Sequence, residues 1–243
     1  MKKRLYWLCL FLSLTGALYA GDQSHQLVTW YNEGGLFMWP ITCLAFLGIL
    51  IIVERYRTIR INTLEQSDAL VKLLAILNKR SVKEAFDFCK KNEKKSLKMS
   101  FAMRTLERFV KMSNAELDIN RIDFYIKENA EGDKEYILAK MEKNLGWLMA
   151  VATIAPSLGF LGTVQGMIIA FGDIVAMAGE GQTVLAAAEG IQVALLTTCF
   201  GLMVGLPCQF MHHYFYHIID KQMADLDSFG SELKDALVLA KVS

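Results

Sequence analysis

Three long apolar runs and a polar middle with helical spacing organise this chain. The runs are Leu36 to Val53, Asn144 to Gly172 and Gly190 to Phe210, and none of them contains a Lys, Arg, Asp or Glu. Each is close to or beyond the roughly 20 residues that a membrane-crossing helix needs. Between the first two, Asn62 to Lys143 reads as helix throughout. Leu70, Leu73, Leu74 and Leu77 keep the i, i+3, i+4, i+7 spacing of a buried stripe. Ser81 with Glu84, and Ser113 with Glu116, each fit a capping box that opens a new helix. The helix from Asn114 carries Ile119, Ile122, Phe124 and Ile126, then a polar patch from Glu128 to Lys134. Its Lys140 to Lys143 end enters the next apolar run without a turn signal, which predicts one continuous helix with Gly132 as its weak point. The last helix begins at Thr183 and continues as a polar tail from Tyr214 to Ala240. The pattern predicts an all-α fold: an integral membrane helical bundle of three spans, extended by long helices outside the membrane.

The first residues form a separate unit. Lys2, Lys3 and Arg4 precede the apolar stretch Leu5 to Leu18, and Ala17-Leu18-Tyr19-Ala20 is a plausible cleavage zone. This is the layout of a signal peptide over 1–20, and the stretch is short for an uncleaved anchor. The expected organisation after it is an external segment 21–35, a first span 36–54, a cytoplasmic helical domain 55–143 and a second span 144–174. An external loop 175–184, a third span 185–211 and a cytoplasmic helix 212–243 complete it. Pro40 falls in the first turn of its span, where a missing N–H costs least.

Charge supplies the orientation. Of the 26 Lys and Arg, none lies between Gly21 and Glu54 or between Asn144 and Asp220. Basic residues mark cytoplasmic segments, so the mature N-terminus is placed outside, in the periplasm, and the C-terminal tail in the cytoplasm. Trp39 at the outer edge of the first span and Arg55, Arg57 and Arg60 at its inner edge fit that orientation. A formal net charge of +1 gives no reason to expect a nucleic-acid partner. The five cysteines show no CxxC or His-paired spacing, so reduced thiols in packing roles are expected.

The chemistry to be explained sits in the second and third spans. With about 100° of turn per residue, Ala152, Pro156, Gly159, Thr163 and Ala170 fall on one stripe, flanked by Gly162 and Gly166. Ala187, Ala194, Thr198 and Gly205 do the same on the third span, with Gly201 beside them, Thr197 next in sequence and Pro207 near its end. Small residues let two helices approach closely, with each threonine bonding back to a carbonyl one turn earlier. Alternatively, Thr163 and Thr198 line a path for protons or meet a partner helix. Asp173 either caps the outer end of the second span, meets a partner or is simply solvated.

No GxxxxGK[ST] loop and no Ser-His-Asp or Cys-His arrangement stands out, so an enzyme is not expected and no cofactor is implied. His212, His213 and His217 include an i, i+4 pair, but Tyr214, Phe215 and Tyr216 among them read as an interfacial aromatic belt. No metal site is expected.

Ala155-Pro156-x-x-Gly159-x-x-Gly162-Thr163-Val164-x-Gly166-Met167 is one motif of the pair. Gly190-Ile191-x-x-Ala194-Leu195-x-x-Thr198-x-x-Gly201-Leu202, with Pro207, is the other. Together they resemble the ExbB/TolQ/MotA proton-channel family, and the ExbB/TolQ branch above all. The resemblance extends to Gly35-x-Phe37-Met38-Trp39-Pro40 and to the order of segments. It implies a homo-oligomeric ring, a pentamer, in the bacterial inner membrane. The ring would surround single-span partners of ExbD/TolR type that carry a membrane aspartate, and a TonB- or TolA-like protein would reach across the periplasm. The threonines matching Thr163 and Thr198 would face the proton path. A flagellar or gliding stator and a non-conducting membrane scaffold are the rival readings.

Relatives in the ExbB branch often carry a glutamate at the position of Val193. This chain has Glu189 instead, one turn further outward and about 180° around the helix from Thr198. Glu189 is therefore a candidate for the external mouth or a subunit contact, and equally for a solvated residue at the helix start, where the dipole favours it.

Overall fold

In a bilayer every backbone polar group has to be satisfied within the chain, which leaves helices as the solution for apolar runs of this length. A computed structural model describes residues 24–63, 67–78, 81–92, 97–113, 119–176 and 183–242, with no strand among them. The helices are α1 Ser24–Glu33, α2 Met38–Thr63, α3 Ser67–Asn78 and α4 Val82–Asn92, then α5 Leu97–Ser113, α6 Ile119–Glu142, α7 Leu145–Ala176 and α8 Thr183–Val242. Among the described residues, three stretches are long and apolar enough to cross a membrane: Met38–Ile59, Leu145–Ala176 and Ala187–Leu237. The expected signal peptide, the Ser113–Glu116 capping box and the middle of the loop at 177–182 lie wholly or partly outside the described residues.

Chain contacts divide the structure into two units. The first holds 24–49 and 149–209. Within the polar segment expected to lie outside the membrane, α1 is a helix that docks on the third span. The turn that docks it runs through Gly34 and Gly35, the latter at φ +70°, where a side chain would be strained. Beyond it Tyr31 meets Phe200 edge-on at 6.4 Å between ring centroids, and Gln192 Nε2 donates to Glu33 Oε2 at 2.7 Å. The first span approaches α8 just as closely. A Cβ at Gly48 would lie 2.8 Å from the sulfur of Cys208.

The second unit holds 50–148 and 210–242. Its core takes Leu73 and Leu77 from α3, Ala85 and Cys89 from α4, and Phe101, Ala102, Leu106 and Phe109 from α5. The tail of α8 adds Phe215, Ile219, Leu226, Phe229, Leu233 and Leu237 at three-, four- and seven-residue steps of one helix face. Ser81 stands just before α4 and its carbonyl accepts from Ala85 N at 3.0 Å. On α6, Ile126 is buried while Phe124 is 64% exposed, so that stripe is narrower than its sequence suggests.

The patch at Glu128 to Lys134 is not uniformly solvated. Asp133 is buried, and Arg108 grips both its oxygens at 2.7 and 3.2 Å while Arg104 lies at 3.5 Å. Arg104 also covers the ring of Tyr136 at 4.9 Å.

The continuous helix expected from the cytoplasmic segment into the second span does not form. α6 runs unbroken through Gly132 and stops at Glu142, and α7 starts afresh at Leu145. The cause is Asn144, whose φ of +66° is the left-handed conformation. Asparagine tolerates that conformation better than any other side chain but aspartate, so the break can occur without a glycine.

Candidate functional site

Small residues on α7 and α8 decide how closely the second and third spans meet. On α7 the buried face is Ala152, Ala155, Gly159, Gly162, Gly166 and Ala170; on α8 it is Gly190, Ala194, Thr197, Gly201, Gly205 and Cys208. A Cβ added at Gly201 would stand 2.7 Å from the carbonyl oxygen of Ala155 and 3.1 Å from Cα of Gly159. One added at Gly159 would stand 2.9 Å from the carbonyl of Thr197, and one at Gly166 2.7 Å from that of Gly190. The two backbones are therefore in direct contact along the seam, which only hydrogen in place of Cβ allows. Gly205 likewise leaves room for the ring of Pro156, and Gly162 for the side chain of Thr197.

The sequence-derived stripes are displaced slightly around each helix. Thr197, not Thr198, lies at the centre of the seam and is 1% exposed. Its hydroxyl bonds back to its own helix, 2.9 Å from the carbonyl of Ala194 and 3.1 Å from that of Val193. Thr198 sits at the edge, and its Oγ1 crosses to the other span, 3.1 Å from the carbonyl of Gly159. Thr163 also sits at the edge and donates within its own helix to Phe160 O at 2.6 Å. Pro156 and Thr163 share one edge of α7, and Thr198 and Gly205 share one edge of α8, by the turn of about 100° per residue. The contact between Pro156 and Gly205 shows that these edges meet. Both candidate threonines thus border the same flank of the seam, about one helical turn apart. That flank opens into an apolar groove lined by Thr163, Val164, Met167, Ile168 and Phe171.

The remaining candidates lie elsewhere. Glu189 is exposed in the second turn of α8, on the flank opposite Thr198. Asp173 is half-buried in the last turn of α7, and Pro207 is exposed within α8. Val193, where a carboxylate was absent, instead packs under Gly35 of the α1 turn. Among the described residues no group of three His, Cys, Asp or Glu could hold a metal ion. His212 stacks on Tyr216 at 6.5 Å and meets His213 edge-on at 5.6 Å, which accounts for that cluster as aromatic packing.

Three features were not read from the sequence: the contact roles of Ala155 and Gly190, the central place of Thr197, and the docking of α1. Gly190 precedes Ala194, Thr197 and Gly201 at four-, three- and four-residue steps, so the contact was present in the spacing. The docking of α1 rests on Tyr31, Glu33 and two glycines, which form no periodic signal.

The comparisons with known proteins fall on this same region. Residues 94–228, which include the whole seam, match the MotA/TolQ/ExbB proton channel family. The chain is 26% identical over 227 residues to a biopolymer transport protein ExbB-like 1 of Synechocystis sp., covering 92% of this chain and 84% of that one. It is 26% identical over 179 residues to the biopolymer transport protein exbB1 of Vibrio cholerae, covering 71% of this chain and 72% of that one. Against the biopolymer transport protein ExbB of Xanthomonas campestris it is 30% identical over 97 residues, 40% of this chain and 37% of that one. The chain belongs to the MotA/TolQ/ExbB proton channel family.

Proposed function

We propose that this protein is the ring subunit of a proton-driven motor in the bacterial inner membrane, converting proton flow into mechanical work. It assembles as a homo-oligomer, a pentamer, around a single-span partner of ExbD/TolR type that carries the proton on a membrane carboxylate. The work is delivered to a periplasm-spanning protein of TonB or TolA type, for transport or envelope maintenance. The chain is a transducer of ion flow, not an enzyme, and needs no cofactor. Each proton crossing supplies about 2.3 kcal/mol per 100 mV of membrane potential, enough to bias a stepwise motion.

The observation that carries this reading is that Thr163 and Thr198 share one flank of the seam, with an apolar groove opening beside Thr163, within the residues matched to the family. Both hydroxyls donate to carbonyl oxygens, yet each keeps lone pairs that can accept from a protonated partner or a water. A membrane scaffold, or a stator for motility, would use the same packing. Thr198→Val separates the scaffold from a conductor, because it keeps the shape and removes the hydroxyl. In a co-purified complex reconstituted into vesicles, the variant should assemble normally and lose at least tenfold in proton-driven activity. Full activity in the variant would leave Thr198 as a packing residue, and a wild-type complex without proton-driven activity would favour the scaffold.

A further inference from the structure

The break between α6 and α7 is gripped from both sides by two consecutive residues of the first span. Arg55 is 3% exposed and donates through Nη1 to the carbonyl of Met141, in the last turn of α6, at 3.2 Å. The C-terminal end of a helix carries partial negative charge, so a buried guanidinium is well placed there. Its Nη2 reaches Glu54 Oε1 at 3.1 Å, and the other oxygen, Oε2, accepts from Asn144 Nδ2 at 2.8 Å. Glu54 thus ties the residue that makes the break to the arginine that caps the helix before it. Asn144 is the non-glycine residue with positive φ among the described residues, and Arg55 Nε is a buried donor left without a partner. A left-handed residue other than glycine and an incompletely satisfied buried cation at one spot point to a conformation held for a purpose beyond packing.

We propose that Glu54, Arg55 and Asn144 are positioning residues that form a latch. The latch sets the direction and rotation with which α7 leaves the break, and so the direction that Thr163 faces about five turns further along the same helix. A continuous α6–α7 helix would put α7 in a different rotational setting. The consequence for activity rests on the function proposed above, whereas the setting of the helix can be measured without it.

The test is a cysteine-labelling scan of α7 in the assembled complex, with exposed Cys43 and Cys199 replaced by serine. Cysteines placed singly at Ser157, Leu161 and Val164, which are exposed, and at Ala155, which is buried, report which side of α7 is accessible. The proton-driven activity of the same complexes, without the reporter cysteines, is measured alongside. Asn144→Gly gives up the bond to Glu54 but accepts positive φ and keeps the Glu54–Arg55 pair, so it should keep the labelling pattern, with less than a threefold loss of activity. Asn144→Val disfavours positive φ and should move the accessible side around the helix and reduce activity at least tenfold, with the complex still assembled. Labelling raised at all four positions with its maximum unmoved would be a general loosening and would overturn the latch. If Asn144→Val does not assemble, Glu54→Ala, which removes a half-exposed side chain and both of its bonds, should give the same displacement. A wild-type pattern in Asn144→Val, or in Glu54→Ala where Val fails, overturns the latch, as does an Asn144→Gly complex displaced like the Val variant. If the wild type shows no proton-driven activity, the proposed function fails, while the labelling still decides the latch.

Discussion

Gly201→Ala tests whether the backbone seam governs both stability and the bond that crosses it. The new methyl would sit 2.7 Å from the carbonyl oxygen of Ala155. Ordinary C···O contacts are about 3.3 Å or more, so the helices must separate by about 0.6 Å at that level. No flexible side chain can give way, because both neighbours are backbone atoms. Thr198 is three residues away on the same helix, and its crossing bond to Gly159 is 3.1 Å. Opened by the same amount it reaches about 3.7 Å, beyond hydrogen-bond range. Overpacking of this kind costs about 1–3 kcal/mol. Loss of the crossing bond adds about 0.6 kcal/mol, while alanine recovers about 1 kcal/mol in helix propensity. The balance is a destabilisation of about 1–2 kcal/mol.

Gly132→Ala is the matched control. It has the same chemistry in α6 with nothing within 4 Å of the new methyl, and should stabilise by about 1 kcal/mol. Equilibrium unfolding in a lipid-like detergent, followed by far-ultraviolet circular dichroism, should separate the two variants by about 2–3 kcal/mol. If Gly201→Ala stabilises the protein as much as Gly132→Ala does, the seam is not in backbone contact and the account given for Thr198 fails with it.

Asp133→Ala should destabilise the protein by about 2 kcal/mol in the same unfolding assay, because Arg104 and Arg108 lose the carboxylate between them. A loss below about 0.5 kcal/mol would make the pair an ordinary surface one. Burial pushes the Cys89 thiol up to about 12 from its usual 9.0. At pH 8 a maleimide should therefore modify it roughly a thousandfold more slowly in the folded protein than in denaturant. The unfolded thiol ionises first, so this group's contribution to stability is present below pH 9.0 and lost as pH rises toward about 12. Fast labelling of the native thiol would contradict its burial.

How much was legible in the sequence depended on whether a residue acts through a repeating pattern or through a single contact. The three spans and the small-residue faces repeat over many turns, so composition and spacing displayed them. The tail of α8 was equally legible in principle, since Phe215, Ile219, Leu226 and Phe229 keep helical spacing within a polar sequence. Asp133 was not, because its burial depends on Arg108, 25 residues earlier on another helix. Asn144 was read as helix because nothing around it is a turn signal. What holds it left-handed is shared with Glu54, 90 residues away. The displacement of the seam by a fraction of a turn, which put Thr197 at its centre, comes from how two helices settle against each other. An ideal 100° wheel drawn for one helix does not contain that information.

The position of the two threonines has a consequence for assembly. Thr197, which faces the interior of the seam, has its hydroxyl turned back to its own helix, and backbone contacts leave no space beside it. A path through the centre of the seam is therefore closed in a single chain. Thr163 and Thr198 instead border a flank whose groove is apolar and open, with Ile168 67% and Phe171 60% exposed. In a bilayer an open groove of this kind fills with acyl chains, and a hydroxyl at its rim carries nothing across. Under the function proposed above, the same groove covered by a second copy or by the helix of a carboxylate-bearing partner would become an enclosed space with the Thr163 hydroxyl on one wall and a titrating group on the other. On that proposed function, assembly is a condition for a proton path, because the chain alone would supply only one side of it.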